Sequence, residues 1–191
     1  ETFFTAIPKF DGLKPYQQVP FQYSLHVVDS PGAEPKHHSF LYKGKEDPRE
    51  EFISSLKKVL CEAGDIIVYN QSFEIARLRE TAKFLPKYHD WVESVVGRIV
   101  DLWTPFRSFH YYNPKQKGSG SLKYVLPAVT GKDYSHLGIN NGADALLQYY
   151  NTTYKDASEE ERKKVFHDLE EYCKLDTLGM VWIIDELQKL I

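Results

Sequence analysis

A tyrosine and an aspartate near the end of the chain have a spacing that could support catalysis. Tyr172 and Asp176 lie four residues apart in the run EYCKLDTLGM, so in a helix they share one face. That face borders an apolar stripe that includes Leu169, Cys173 and Met180. A carboxylate beside a buried stripe is costly unless it is paired or bound to a metal ion. The pattern therefore indicates either an ordinary helix face or part of a metal site.

A second acid follows a short apolar run. Residues 66–69 (IIVY) are typical of a strand buried on both faces, and Asn70 and Glu74 come soon after them. Glu74 would then lie in the first turn of the next helix, where the helix dipole favours an anion. Taken alone, this position favours a structural role for Glu74, with Asn70 as the helix cap. Strand ends are also where α/β sheets place their sites, so Glu74 is a candidate ligand as well.

Other polar residues carry weaker interpretations. Asp101, at the end of the predicted strand 98–103, is interpreted first as a turn residue, although it could lie near the site. His37 and His38 are interpreted as a loop pair, and His167 as part of a helix surface.

A lysine-containing segment could contact nucleic acid. Lys115, Lys117 and Lys123 lie among glycines and tyrosines between positions 111 and 123. Such a loop could grip a strand through phosphate contacts and base stacking. A mobile, solvated loop is an equally good interpretation.

Hydrophobic periodicity defines the elements that must position these residues. It predicts strands at 20–28, 39–44, 66–69 and 98–103, and helices at 48–63, 72–84, 89–96, 121–129 and 142–154. Ser158 and Glu161 form a capping-box pattern that opens a long final helix or a helix pair. Residues 105–117 show no clear period and are predicted to be loop. This order predicts one α/β layered domain with a mixed sheet.

Composition narrows the class of protein. A chain of 191 residues is long enough for one domain with a substantial core. The net charge of −3 argues against a non-specific binder of duplex DNA. Aromatic residues make up 14% of the chain, which favours a core rich in Tyr and Phe over exposed stacking surfaces.

Cysteine usage and hydropathy suggest a location. Cys61 and Cys173 are far apart and have no metal-ligand spacing, which favours a reducing compartment. No apolar run is long enough to span a membrane, so a cytoplasmic location without membrane partners is expected. The chain opens on Glu1 without a Met, and we expect residues 1–191 to be a single domain of a longer polypeptide whose other domains are its partners.

Three motifs together resemble the DnaQ-like (DEDD) superfamily of 3′–5′ exonucleases, which has an RNase H-like fold. The run from Asn70 through Phe73 to Glu74 is similar to the second motif, Asn-x-x-Phe-Asp. Tyr172-x-x-x-Asp176 is similar to the third motif of the tyrosine-bearing branch, and Glu1-Thr2 to the end of the first, Asp-x-Glu-Thr.

A closer resemblance covers most of the chain. The runs ETFFTAIPKFDGLKPYQQVPFQYSLH, VYNQSFE, RIVDLWTPF and GSGSLKYVLPAVTG are similar to DUF2779, a bacterial domain family that is placed in the exonuclease clan by sequence.

The resemblance implies a metal-dependent mechanism. Glu1, Glu74 and Asp176 would hold two Mg²⁺ or Mn²⁺ ions, directly or through water, and Tyr172 would orient the attacking water. Two such ions neutralise the anionic transition state of phosphodiester hydrolysis and activate the nucleophile. The implied partner is the 3′ end of single-stranded DNA or RNA, with Asn70 and Phe73 beside it.

The chain departs from the superfamily pattern at two points. Glu74 replaces the usual aspartate of the second motif. The first aspartate of the superfamily would fall two residues before Glu1, on a central strand that we expect to be largely absent. The 191-residue chain alone is therefore expected to be inactive or nearly so.

Two other functions stay open. A non-catalytic module that binds nucleic acid or protein could keep the fold without the chemistry, and the presence of Glu74 favours it slightly. A different RNase H-like nuclease, such as an endonuclease, is the third possibility. The Tyr172-x-x-x-Asp176 motif favours the exonuclease over this last one.

Overall fold

A computed structural model describes residues 1–190 as an arrangement of short strands and seven helices. The strands are β1 (Thr2–Phe3), β2 (Val19–Pro20), β3 (Gln22–Val27), β4 (Lys36–Leu41), β5 (Ile66–Val68) and β6 (Ile99–Asp101). The helices are α1 (Arg49–Val59), α2 (Gln71–Phe84), α3 (His89–Val96), α4 (Thr104–Arg107), α5 (Leu122–Thr130), α6 (Gly142–Tyr154) and α7 (Glu159–Gln188). The predicted α/β class is confirmed.

The strands pair in twos. β1 and β2 are antiparallel, as are β3 and β4, whereas β5 and β6 are parallel. The prediction of one continuous mixed sheet is therefore wrong for residues 1–190. The physical reason is that a cavity lies between β3 and β5. Because of this cavity, each of the two strands has one edge with no neighbouring strand in residues 1–190.

Phe21 joins two of these pairs. Its backbone N–H donates to the carbonyl of Glu1 at 3.1 Å, and its own carbonyl accepts from the N–H of Tyr42 at 2.9 Å. Residues 19–27 therefore form one extended run, with β1 along one edge and the β4 segment along the other. This run fixes where Glu1 lies relative to the rest of the fold.

The predicted loop 105–117 contains regular structure, so that prediction is wrong in part. Its first residues belong to α4, and a 3₁₀ turn spans Pro114–Gln116. Asn113 caps this turn and also donates from its side-chain amide to the carbonyl of Ala128 at 3.0 Å. The buried Gln116 accepts from the N–H of Asn113 at 2.8 Å. These polar anchors carry no hydrophobic period, which is why periodicity alone missed them.

Two further expectations need correction. His37 and His38 lie in β4, opposite His26 and Leu25, because the hairpin pairs six residues on each strand and begins earlier than predicted. Residues 66–69 are only partly buried, since β5 borders the cavity.

The final helix is continuous. Ser158 and Glu161 form the predicted capping box, and α7 then runs unbroken for 30 residues, so the structure selects the single long helix over the helix pair. His167 lies exposed on it, as predicted. Such a length is stable because α7 packs against α5, α6 and β3 through its apolar stripe.

Aromatic side chains form the centre of the core. The rings of Phe21 and Tyr149 stack with centroids 3.6 Å apart, and Phe3 lies 5.6 Å from Tyr149. All three side chains are almost fully buried. The aromatic content therefore serves mainly the core, and this core holds the start of the chain against α6.

Phe21 is expected to be a major source of stability. Phe21→Ala should lower the free energy of unfolding by about 3–5 kcal/mol, because it leaves a cavity in this aromatic stack. Phe109→Ala is the control, since Phe109 is 65% exposed. This substitution should change the free energy of unfolding by no more than about 0.5 kcal/mol. Urea denaturation followed by far-UV circular dichroism measures both. Equal effects of the two substitutions would contradict the assignment of Phe21 to the core.

Candidate active site

One cavity receives all four residues that the motifs predict to be catalytic. It has a volume of about 520 Å³ and is lined by Glu1, Glu74, Tyr172 and Asp176. Glu1 immediately precedes β1, and Glu74 lies in the first turn of α2. Tyr172 and Asp176 lie on one face of α7. Residues that are up to 175 positions apart in the sequence are thus brought together, which local periodicity could not have shown.

Glu1 is fixed by the strand pairing of its backbone. Its α-ammonium donates to the carbonyl of Gln22 at 2.7 Å, and its carbonyl accepts from Phe21. Burial lowers the pKa of this ammonium, but the surrounding negative charge, including Glu74 and Asp176, outweighs that effect and raises the pKa overall. The ammonium therefore supplies a positive charge among the carboxylates.

Asp176 is held in place by a second tyrosine. The hydroxyl of Tyr134 donates to Oδ1 of Asp176 at 2.7 Å. Burial raises the pKa of Asp176 to about 6, and the negative charge of Glu1 acts in the same direction. The hydrogen bond from Tyr134 and the nearby Tyr172 hydroxyl oppose this shift because they stabilise the charged form. The carboxyl is thus poised to change its charge close to neutral pH.

Tyr172 stays protonated at neutral pH. Burial raises the pKa of its hydroxyl, and the charges of Asp176 and Glu1 raise it further. Its ring lies 6.1 Å from that of Tyr134, and the two tyrosines flank the same carboxylate. The hydroxyl can therefore donate a hydrogen bond but does not act as a base.

Glu74 lies where its helix position predicted, in the first turn of α2. Burial raises the pKa of its carboxyl, and the charge of Glu1 adds to that effect, while the α-ammonium and Arg77 oppose it. Glu74 therefore does not serve only to stabilise the start of the helix, because its carboxyl also interacts electrostatically with Glu1.

Asn70 precedes α2 in an unusual backbone conformation. Its φ of 74° is left-handed, and its side chain makes no capping hydrogen bond, so the expectation that Asn70 caps the helix is wrong. Asp101 holds this backbone instead: its Oδ1 accepts from the N–H of Asn70 and from that of Trp103, both at 3.0 Å. The side chain of Asn70 lines the cavity. Strain of this kind is typical of functional sites.

The predicted nucleic-acid residues divide into two groups. Phe73 and Lys123 line the cavity together with Asn70. The ammonium of Lys123 donates to the carbonyl of Asn140 and lies near the charges of Asp176 and Glu1. Lys115 and Lys117 are exposed and do not line the cavity, so the structure does not place them at the site.

Sequence reasoning missed one residue that positions the site, Tyr134, and preferred a turn role for another, Asp101. Tyr134 lies 42 residues before Asp176, and Asp101 lies 31 residues after Asn70. No spacing rule connects such pairs. The one available signal was the position of Asp101 at a strand end, which also fits an ordinary turn residue.

The donor set suits a hard cation, although no metal cluster is preformed. Glu1, Glu74 and Asp176 offer carboxylate oxygens, the ligands that Mg²⁺ and Mn²⁺ prefer. No group of three or more His, Cys, Asp or Glu side chains in residues 1–190 is arranged to hold a metal ion. The positive charge near these carboxylates comes from the Glu1 ammonium, Arg77 and Lys123. In any chain with a residue before Glu1, an uncharged amide would replace that ammonium.

The chain belongs to the DUF2779 family, described as a domain of unknown function, whose profile matches residues 1–121. The match covers the segments that carry Glu1 and Glu74, whereas Tyr172 and Asp176 lie beyond it.

Similar curated proteins are considerably longer than this chain. It is 28% identical to "Uncharacterized protein UU173" of Ureaplasma parvum over 65% of its own length and 21% of that protein. It is 27% identical to "Uncharacterized protein MG366" of Mycoplasma genitalium over its whole length and 31% of that protein. The chain therefore spans between about a fifth and a third of these relatives.

No solved structure is significantly similar to the chain.

No helix within residues 1–190 has the length and apolar character needed to cross a membrane.

Asp176 is expected to lower stability at neutral pH. Its folded-state pKa of about 6 lies above the usual 3.8, so stability falls as the pH rises from about 3.8 to about 6, and the full cost of the charge is present above that range. The shift corresponds to about 2–3 kcal/mol. Asp176→Asn should therefore increase the free energy of unfolding at pH 7.5 by up to about that amount and give little gain at pH 4.

Urea denaturation at the two pH values measures this difference. Asp185→Asn, a change at another aspartate of α7, is the matched control for the substitution itself. A gain from Asp176→Asn that is the same at both pH values would contradict an unfavourable buried charge.

Proposed function

We propose that this domain is a metal-dependent 3′–5′ exonuclease of the tyrosine-bearing DnaQ-like type, with an RNase H-like fold, acting on single-stranded DNA or RNA. The observation that carries the proposal is the convergence of Glu1, Glu74, Tyr172 and Asp176 on one cavity. They come from three separate motifs: Glu1 precedes β1, Glu74 lies in α2, and Tyr172 and Asp176 share one face of α7.

The acids of the cavity would hold Mg²⁺ or Mn²⁺. Glu1, Glu74 and Asp176 would supply the oxygen ligands, and the ions, when bound, activate water and neutralise charge on the phosphate. Such a role also explains why acids with raised pKa values are kept together, because a divalent cation would relieve their mutual repulsion.

Tyr172 would orient the attacking water. Its hydroxyl stays protonated, so it can donate to the water or to a phosphate oxygen, but it cannot remove the proton. Proton removal would depend on the lowered pKa of water at the cation.

The substrate end would enter beside Asn70, Phe73 and Lys123. The aromatic ring of Phe73 could stack on a base, and the Asn70 amide could hydrogen-bond the polar edge of a base. The Lys123 ammonium could bind a phosphate. Phe73 and Glu1 also line an adjoining groove of about 550 Å³, which continues past Leu146 and Tyr150. Lys115 and Lys117, if they contact nucleic acid, would contact a part of the strand away from the cavity.

The fourth acid of the superfamily pattern would come from the strand before Glu1. The backbone of Glu1 already pairs with Phe21 and Gln22, so residues before it would extend into the cavity beside β3. Side chains alternate along a strand, so an aspartate two residues before Glu1 would point to the same face as Glu1. Such a strand would also turn the separate pairs into one mixed sheet.

A non-catalytic binding module is the second candidate. The absence of a preformed metal cluster within residues 1–190 favours it, because a domain that only binds does not need one. It would use the same cavity surface without releasing nucleotides.

The exonuclease is expected to release mononucleotides from a 3′ end. A chain extended by the natural residues before Glu1 should shorten a 3′-labelled single strand in Mn²⁺ and release labelled mononucleotide first. Asp176→Ala should lower this rate by about 100-fold or more, since it removes a ligand of the cation that would neutralise the charge of the transition state. The 191-residue chain should show little activity. Gel electrophoresis of labelled products measures all three.

Controls separate the candidates. Lys115→Ala alters an exposed residue outside the cavity and should leave the rate of mononucleotide release on a short strand unchanged. A circular single strand, which has no 3′ end, should stay intact, and its cleavage would indicate an endonuclease instead. Strand binding without any nucleotide release would favour the binding module and sink the exonuclease proposal.

A further inference from the structure

A tyrosine outside every motif contacts the acid of the third motif. The hydroxyl of Tyr134 lies 2.7 Å from Oδ1 of Asp176, and Tyr134 is 6% exposed. Tyr172 also lies near this carboxylate, but it lines the cavity whereas Tyr134 does not. The two tyrosines thus occupy different positions around one acid.

The chain between α5 and α6 is folded so that Tyr134 reaches this point. Gly131 ends α5 with a φ of 75°, a conformation that suits glycine. The Lys132 ammonium then lies 3.9 Å from the ring centroid of Trp182 on α7. Asp133 closes a tight turn by accepting a backbone N–H two residues further on. This turn directs the Tyr134 ring inward and its hydroxyl towards α7.

We propose that Tyr134 is a positioning residue for the cation site. Its hydrogen bond occupies Oδ1 of Asp176, so a cation held by this carboxylate would be bound through Oδ2, while Tyr172, which lines the cavity, would orient the attacking water. This inference rests on the proposed function and extends it by giving the two tyrosines separate roles.

The physical basis is the limited number of orientations that a carboxylate can take. A carboxylate without a fixed partner can rotate, and both oxygens can then approach one cation. A hydrogen bond at one oxygen selects a single rotamer and favours binding through the other oxygen alone. Partners of this kind around a metal ligand commonly change metal affinity or activity by about 10–100-fold.

The test measures Mn²⁺ binding without nucleic acid. In the full-length parent chain, Tyr134→Phe should weaken Mn²⁺ binding by about 10–100-fold, measured by electron paramagnetic resonance of free Mn²⁺. Tyr172→Phe should leave Mn²⁺ affinity within about twofold of the parent value. With a substrate strand, saturating Mn²⁺ should restore the rate of Tyr134→Phe, whereas Tyr172→Phe should stay slow at every Mn²⁺ concentration.

A matched variant separates positioning from general loosening. Lys132→Ala removes the contact with Trp182 in the same turn but leaves the Tyr134 hydroxyl in place, and it should retain Mn²⁺ affinity. An equal loss of affinity in Lys132→Ala and Tyr134→Phe would overturn the role of the hydroxyl. So would Mn²⁺ binding that Tyr134→Phe leaves unchanged. A parent chain that takes up no Mn²⁺ would instead overturn the metal site itself, and with it this role.

Discussion

The burial of acids away from water is the constraint on which the site depends. Glu74 and Asp176 both have raised pKa values because they are removed from water, and the charge of Glu1 adds to both shifts. A protein gains no stability from such an arrangement. The surrounding fold must therefore supply the stability that keeps these acids buried close to one another.

The framework that enforces this grouping is aromatic and helical. The stack of Phe21 on Tyr149 anchors the extended run 19–27, which in turn fixes Glu1 through backbone hydrogen bonds. The long helix α7 presents Asp176 from the opposite side, and the side-chain amide of Gln22 donates to the carbonyl of Leu169 at 2.8 Å. Gln22 thus couples the two elements that carry Glu1 and Asp176, so their relative position does not depend on surface loops.

Local patterns predicted the elements well and the tertiary arrangement poorly. The helical period found α2, α3 and α6 almost to the residue, because an apolar stripe on a helix has few alternatives, and the capping box found the start of α7. The prediction of a single mixed sheet was wrong because the pairing of β3 with β5 depends on what lies between them. The sequence of neither strand contains that information. The same limit applies to the site: the spacing of Tyr172 and Asp176 is visible in one helix, whereas the contact of Tyr134 with Asp176 arises only from the turn after α5.

The two parts of the cavity have different chemistry, and this difference bears on how the site is completed. Near Asp176 and Glu74 the walls are polar and suit cations and phosphate. Further along β3 the walls are apolar, with Leu25, Leu56 and Ile67 among them, and nothing in the chemistry of phosphodiester hydrolysis requires such a surface. An apolar slot between two unpaired strand edges instead matches an extended polypeptide segment, whose backbone would pair with both edges and whose side chains would fill the slot. A strand in that place would pair with both β3 and β5 and would join the separate strand pairs into one sheet.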